Sequence, residues 1–225
     1  MNADFSAGPP PGRHGILIVD DHPIVREGLR ELIENEPDFE IVGEAACVDD
    51  AVRALASTRP EVVIVDLSLK NSHGVDLIET IQSRGGDVKT LVFSMHDELL
   101  FAERTLRAGA SGYVSKLESA DKVIDALRHI LRGERYLSAR VAAYLATRNT
   151  PARDSTADPV DRLSNRELLV FQMLGQGLAT KQIAARLSLS RKTVDTYREN
   201  IKLKLNLRDG SELVRHATRW VLENG

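Results

Sequence analysis

Five times between Gly15 and Leu131 a short run of branched apolar residues precedes a longer stretch with helical spacing, and this alternation limits the possible folds more than any other feature. The runs are Ile16–Val19, Glu40–Val42, Val62–Val65, Thr90–Phe93 and Gly112–Val114. The helical stretches are Pro23–Glu34, Asp49–Thr58, Val75–Gln82, Glu98–Arg107 and Ser119–Leu131. Runs such as ILIV and VVIV lack polar alternation, so both of their faces must be buried. Strands covered on both sides and separated by helices predict an α/β, doubly wound, five-stranded parallel sheet.

Beyond Leu131 a further helix is predicted through Tyr136–Ala146, and then periodicity stops. Arg148–Asp161 carries prolines, Asn, Asp, Ser and Thr without an apolar pattern, which reads as a linker. The last part has helical patterns only. Ser164 and Glu167 form a capping box opening a helix to about Gly175, Thr180 is expected to cap a short helix through Leu187, and Ser190 another through Leu205. The turn between the last two is Ser188-Leu189-Ser190, and a fourth helix covers about Asp209–Glu223. The expected organisation is a tail over 1–14, an α/β domain over 15–135, a linker helix and linker over 136–160, and a small all-α domain over 161–225.

Composition agrees with two domains. The 225 residues exceed the usual size of one, and 42% hydrophobic with 28% charged residues exclude disorder throughout. Met1–His14 lacks the apolar run of a signal peptide, and no segment approaches the roughly 20 apolar residues needed to span a bilayer, so a cytoplasmic protein without a membrane partner is expected. The single cysteine, Cys47, can form no internal disulfide and reads as a small buried hydrophobe. From Val160 onward there are 12 basic and 7 acidic residues, a net +5, against 18 and 26 before it, a net −8. The cationic part suits a polyanionic partner and the acidic part does not.

In open parallel sheets, ligands bind outside the carboxyl ends of the strands. Here those ends carry Asp20-Asp21, Asp66, Ser94 and, through Ser115, Lys116. Each alone reads as a cap or a solvated group, but together they place three carboxylates, a hydroxyl and an ammonium at one rim. Clustered carboxylates repel one another, and a hard divalent cation relieves the repulsion. Mg2+ fits best, because it accepts one or two carboxylates plus phosphate oxygens. A carboxylate can accept a phosphoryl group as an acyl phosphate, with the cation and Lys116 balancing the transferring charge. His22, His73 and His96 lack a helical His-x-x-x-His spacing and read as loop residues rather than a transition-metal site.

Residues 15–131 resemble the receiver domain of two-component response regulators, a flavodoxin-like fold, through the strings ILIVDDHPIVREGL, VVIVDLSLKNSHG, LVFSMHDE and AGASGYVSK. The resemblance implies that Asp66 is the phosphoacceptor and that Asp20, Asp21 and the Ser68 backbone carbonyl complete a Mg2+ site with it. It further implies that Lys116 contacts the phosphoryl group and that Ser94 and Tyr113 form a switch. Lys70 stands where the family commonly has proline, a departure bearing on loop stiffness and acyl-phosphate lifetime.

A short helix, a tight turn and a second helix with a basic start form the helix-turn-helix plan, here Thr180–Leu205. On the second helix Val194, Tyr197, Ile201 and Leu205 recur at core spacing, leaving Arg191, Lys192, Asp195, Thr196, Glu199 and Lys202 outward. Residues 162–222 resemble the LuxR-type helix-turn-helix that follows receivers in the NarL/FixJ family, through LSNRELLVFQMLGQGLATKQIAARL and SRKTVDTYRENIKLKL. By that resemblance Asp195, Thr196 and Glu199 approach base edges, and Lys181, Arg191, Lys192, Arg198 and Lys202 approach phosphates. The expected protein is a transcriptional regulator rather than an enzyme. Its expected partners are a sensor histidine kinase, double-stranded promoter DNA with paired half-sites, and a second copy of itself when phosphorylated. The alternatives are a constitutive DNA-binder with a degenerate switch and, more remotely, a Mg2+-dependent aspartyl-phosphate phosphatase or phosphotransferase.

Overall fold

The computed structural model describes residues 12–69, 72–148, 159–187 and 189–224. Most of the expected tail, Lys70, residues 149–158 of the expected linker and Ser188 of the turn lie outside them. The chain divides into two compact units, residues 1–145 and 146–225.

The first unit alternates strand and helix: β1 His14–Val19, α1 Pro23–Glu34, β2 Phe39–Ala45, α2 Val48–Thr58, β3 Val62–Val65, α3 Gly74–Ser83, β4 Lys89–Ser94, α4 Glu98–Arg107, β5 Gly112–Ser115 and α5 Asp121–Leu131, after which α6 Ala139–Arg148 runs across the division between the units. All neighbouring strands are parallel, in the order β2-β1-β3-β4-β5. Ile16–Val19 and Val62–Val65 are wholly buried, as expected for central strands without polar alternation. Ile16, Ile18, Val62, Ile64 and Leu91 pack with Leu29 and Ile33 of α1 and with Val123, Leu127 and Ile130 of α5.

Two elements differ from the sequence expectation. Strand β2 is longer than Glu40–Val42, and its register against β1 jumps from Ile16↔Ile41 to Leu17↔Gly43. The jump sets Glu44 opposite Ile18, where it forms ion pairs with Arg26 and Arg30 of α1. Tyr136 does not begin a helix. It pairs with the open edge of β5, accepting from the Tyr113 N–H at 2.9 Å and donating to the Ser111 carbonyl at 3.1 Å. Ser138 then caps α6, accepting from the Val141 N–H at 3.1 Å. A backbone partner for an exposed sheet edge outweighs local helical spacing at Tyr136.

The second unit comprises a 3-10 turn at Pro159–Arg162 and the helices α7 Asn165–Gly175, α8 Thr180–Arg186, α9 Arg191–Leu205 and α10 Gly210–Asn224. Leu168, Leu169, Phe171, Ile183, Val194, Ile201, Leu213 and Ala217 form its core. The capping box is present: Ser164 Oγ accepts from the Glu167 N–H, and Glu167 Oε2 accepts from the Ser164 N–H at 2.7 Å. Ser190 caps α9 through the Thr193 N–H at 3.0 Å. Thr180, by contrast, is not the cap of α8. It is the first helical residue, its Oγ1 accepts from Arg198 at 2.6 Å, and the Gln182 side chain satisfies the Ala179 N–H at 2.8 Å.

The buried Glu167 carboxylate also accepts from Lys204 Nζ of α9 at 2.6 Å. Burial pushes this carboxyl up, but the bonds from Lys204 and Ser164 outweigh it and hold it below the ordinary range. Its ionised form therefore stabilises the folded unit fully above about pH 4.3, and that contribution is lost as pH falls through the lower folded value. Glu167→Ala is expected to cost about 1–2 kcal/mol near neutral pH, through the lost cap and charged hydrogen bond. Denaturant titrations at pH 7 and pH 3 check this, because the difference between wild type and variant should shrink at the lower pH.

Candidate functional site

Backbone hydrogen bonds carry the ladder one residue past the strands and so build the rim. The Asp20 N–H donates to the Ala45 carbonyl, the Asp66 N–H to Val19 at 2.9 Å, and the Lys116 N–H to Ser94 at 2.9 Å. Residues far apart in sequence are thereby held level across the sheet. Lys116 Nζ donates to Asp20 Oδ2 at 2.5 Å and to Asp66 Oδ2 at 2.8 Å. Both carboxylates are only 2% exposed, and the ammonium lies 5.8 Å from the centre of the Phe93 ring.

Among the described residues, Lys116 is the one ammonium bonded to the carboxylates of Asp20 and Asp66, with Asp21 beside them, so the rim is rich in negative charge. Asp66 Oδ1 is buried with no hydrogen-bond partner among the described residues, an arrangement costly for an ionised oxygen unless a ligand completes it. Donor atoms from Asp20, Asp21, His22 and Asp66 lie within 4.8 Å of one another. The cluster has the composition of a cation site, and the oxygen donors suit a hard divalent ion. His22, read from sequence as an ordinary loop residue, sits inside it, whereas His73 does not. The His73 ring instead caps α3, accepting from the Val75 N–H at 3.2 Å.

Gly74 closes the loop after Asp66. A Cβ there would overlap the Asp66 carbonyl oxygen and lie 2.9 Å from Leu67 Cα, so only glycine lets α3 start this close to the end of β3.

Ser94 is fully buried at the end of β4, and its Oγ accepts from the His96 N–H at 3.3 Å. Tyr113 is turned inward, 1% exposed, and donates to the His96 carbonyl at 3.0 Å. Burial pushes the Tyr113 hydroxyl far above its ordinary range, against a smaller opposing effect of a hydrogen bond with Ser94, so it remains a protonated donor. The His96 ring meets Ser68 Oγ at 2.6 Å and leans on Phe101. His96 thus ties the loop after Asp66 to Ser94 and Tyr113, a role with no local sequence signature beyond its place two residues after Ser94.

In the second unit, Arg191, Lys192, Asp195, Thr196, Glu199 and Lys181 are exposed. Thr196 Oγ1 donates back to the Lys192 carbonyl at 3.0 Å. Arg198 is turned toward Thr180 and lies 3.9 Å from Asp195, and Lys202, 20% exposed, pairs with Glu199 at 2.8 Å. No helix among the described residues is long and apolar enough to cross a membrane.

Comparison with known proteins agrees with this geometry in both units. Residues 16–128 match the response regulator receiver domain, and residues 161–217 match the bacterial regulatory proteins of the luxR family. The chain is 34% identical to the response regulator UvrY of Escherichia coli K12 over 209 residues, covering 93% of this chain and 95% of UvrY. A LuxR-family two-component response regulator from Aurantimonas is 39% identical and superposes with a TM-score of 0.57, covering 60% of this chain and 97% of that one. RcsB of Salmonella enterica serovar Typhimurium, solved on the promoter rprA, shares the fold at 24% identity and a TM-score of 0.59, with coverage of 92% and 98%. An acidic rim bridged by Lys116, followed by a helix-turn-helix unit and matched in both halves, identifies the chain as a two-component response regulator of the NarL/FixJ family, with a receiver domain and a LuxR-type DNA-binding domain.

Proposed function

We propose that Asp66 accepts a phosphoryl group from a sensor histidine kinase and that the modified receiver promotes dimerisation and promoter binding. The observation that carries this reading is the buried Asp66 carboxylate, with one oxygen held by Lys116 and the other without a partner among the described residues. In the transfer, the bond from Asp66 to phosphorus forms as the bond from phosphorus to the kinase imidazole nitrogen breaks, and the imidazole keeps the electron pair. Lys116 stabilises charge on the transferring oxygens. Asp20, Asp21, Asp66 and the Ser68 carbonyl would hold Mg2+, which when bound neutralises phosphoryl oxygens.

Ser94 then leaves the His96 N–H to donate to the phosphoryl group. The Tyr113–His96 bond breaks with it, changing the Tyr113 rotamer and the surface around α4. A local charge change thus becomes a change between two packed states. The proposed boundaries are 15–135 for the receiver, 136–160 for the connection and 161–225 for the DNA-binding domain. A kinase-driven DNA regulator of this kind, acting on no separate substrate, belongs in the cytoplasm.

On DNA, α9 lies in the major groove. Asp195, Thr196 and Glu199 read base edges, while Lys181, Arg191 and Lys192 take phosphates, joined by Arg198 and Lys202 when phosphates compete for their internal partners. Glu199 accepts from a cytosine amino group and so restricts sequence. Glu199→Ala is expected to change the ranking of sites in a binding selection by about 1–3 kcal/mol at one base position, while freeing Lys202 for phosphate. An unchanged ranking would remove Glu199 from base reading.

The decisive test is sizing and promoter-fragment binding of the full chain before and after incubation with acetyl phosphate and Mg2+. A larger species and tighter binding on a two-half-site fragment support the proposal, because linked modules gain affinity from effective concentration. Equal binding in both states would instead support a constitutive DNA-binder.

A further inference from the structure

We infer that His22 supplies a nitrogen ligand to the cation held at the rim and thereby tunes the site toward first-row transition ions such as Mn2+. The inference rests on reading the rim as a metal site and concerns which ion it favours.

The geometry is specific to His22. Its Nδ1 lies 2.8 Å from Asp21 Oδ1 and 3.1 Å from Asp20 Oδ1. Donors on adjacent corners of an octahedron with bonds of about 2.1 Å are about 3.0 Å apart. Without an ion the nitrogen hydrogen-bonds Asp20 Oδ1 at this distance; with the ring proton on Nε2 instead, Nδ1 would stand where a neighbouring corner falls. The His22 backbone N–H donates to Asp20 Oδ1 at 2.8 Å, which fixes the residue beside the carboxylates. Its side chain makes no capping bond to α1 and is 60% exposed, so the ring can turn toward an ion without breaking the helix start. Asp66 Oδ1, buried and without a partner among the described residues, independently calls for a ligand in the same place. His73 is occupied as a cap and His96 with Ser68, so among the described residues only His22 brings an imidazole nitrogen into the cluster.

Chemistry gives the direction. Mg2+ prefers oxygen donors and keeps its waters, while imidazole binds first-row transition ions better than it binds Mg2+. Replacing one water by His22 thus favours Mn2+ over Mg2+ relative to an all-oxygen site.

The test uses the full, unphosphorylated chain and its His22→Ala and His22→Asn variants, with folding confirmed by circular dichroism. Mn2+ binding is read from loss of the free-ion EPR signal, Mg2+ binding by competition, and ligation by nitrogen-14 modulation in pulsed EPR. Both variants should bind Mn2+ at least about tenfold more weakly, with Mg2+ affinity changed far less and the imidazole modulation lost. Binding of Mn2+ by wild type without that modulation, or equal weakening of both ions, would overturn the inference while leaving the rim a metal site. If wild type bound neither ion, the metal-site reading itself would fall along with it.

Discussion

Asp66→Asn is expected to gain no phosphoryl group from acetyl phosphate and Mg2+, whereas wild type gains one, as read by intact mass. An amide keeps the size of the carboxylate and can still accept from Lys116, but it lacks the nucleophilic oxygen pair from which an acyl phosphate forms. Lys116→Gln separates the acceptor from its electrostatic support. Asp66 remains, yet the ammonium 2.8 Å away is gone, so adduct formation should slow by about 10²–10³-fold, the usual loss when one preorganised donor is removed from a developing charge.

The same pair of variants makes a stability statement. Asp20 and Asp66, both buried, share one ammonium. Without a divalent ion, Asp66→Asn removes part of their mutual repulsion and should raise the melting temperature, whereas Lys116→Gln should lower it. Mg2+ should stabilise wild type more than Asp66→Asn, since binding to the folded state alone adds to stability. Adduct formation on Asp66→Asn at the wild-type rate would place the acceptor elsewhere.

Gly175→Ala is expected to destabilise the DNA-binding domain by about 3 kcal/mol, at the upper end of overpacking effects. Gly175 ends α7 where α10 crosses it. A Cβ there would overlap the Ala217 carbonyl oxygen and lie 2.6 Å from Val221 Cγ2. A backbone oxygen inside a helix cannot step aside, so the two helices must separate. The helix propensity gained from replacing glycine, up to about 1 kcal/mol, does not offset that. The only tryptophan of the chain, Trp220, packs edge-on against Phe171 in this domain. Its fluorescence in a urea titration therefore reports the domain directly. The midpoint should fall sharply while acetyl phosphate still modifies Asp66. A midpoint equal to that of wild type would show that the crossing accommodates a methyl group.

Much of this molecule was legible in its sequence, because many of its determinants are local. ILIV and VVIV can exist as strands only if buried on both faces, and the Ser164–Glu167 box and the Ser190 cap act within one helical turn. The rim positions of Asp20, Asp66, Ser94 and Lys116 were legible because each stands at or just past the end of a strand in a parallel sheet. Other features depended on which distant segments meet. Runs of Val and Ile can pair with any neighbour, so the order β2-β1-β3-β4-β5, and with it the reach of Lys116 to both Asp20 and Asp66, required the packed sheet. Thr180 had the chemistry of a cap but is taken by Arg198 from the next helix, and Tyr136 had helical spacing but covers the edge of β5. The three loop histidines were equivalent by sequence spacing. Tertiary structure made His73 a cap, His96 a tie to Ser68 and His22 a neighbour of the carboxylates, because a hydrogen bond or a ligand distance is set by where the backbone returns, and residue spacing along the chain does not encode that.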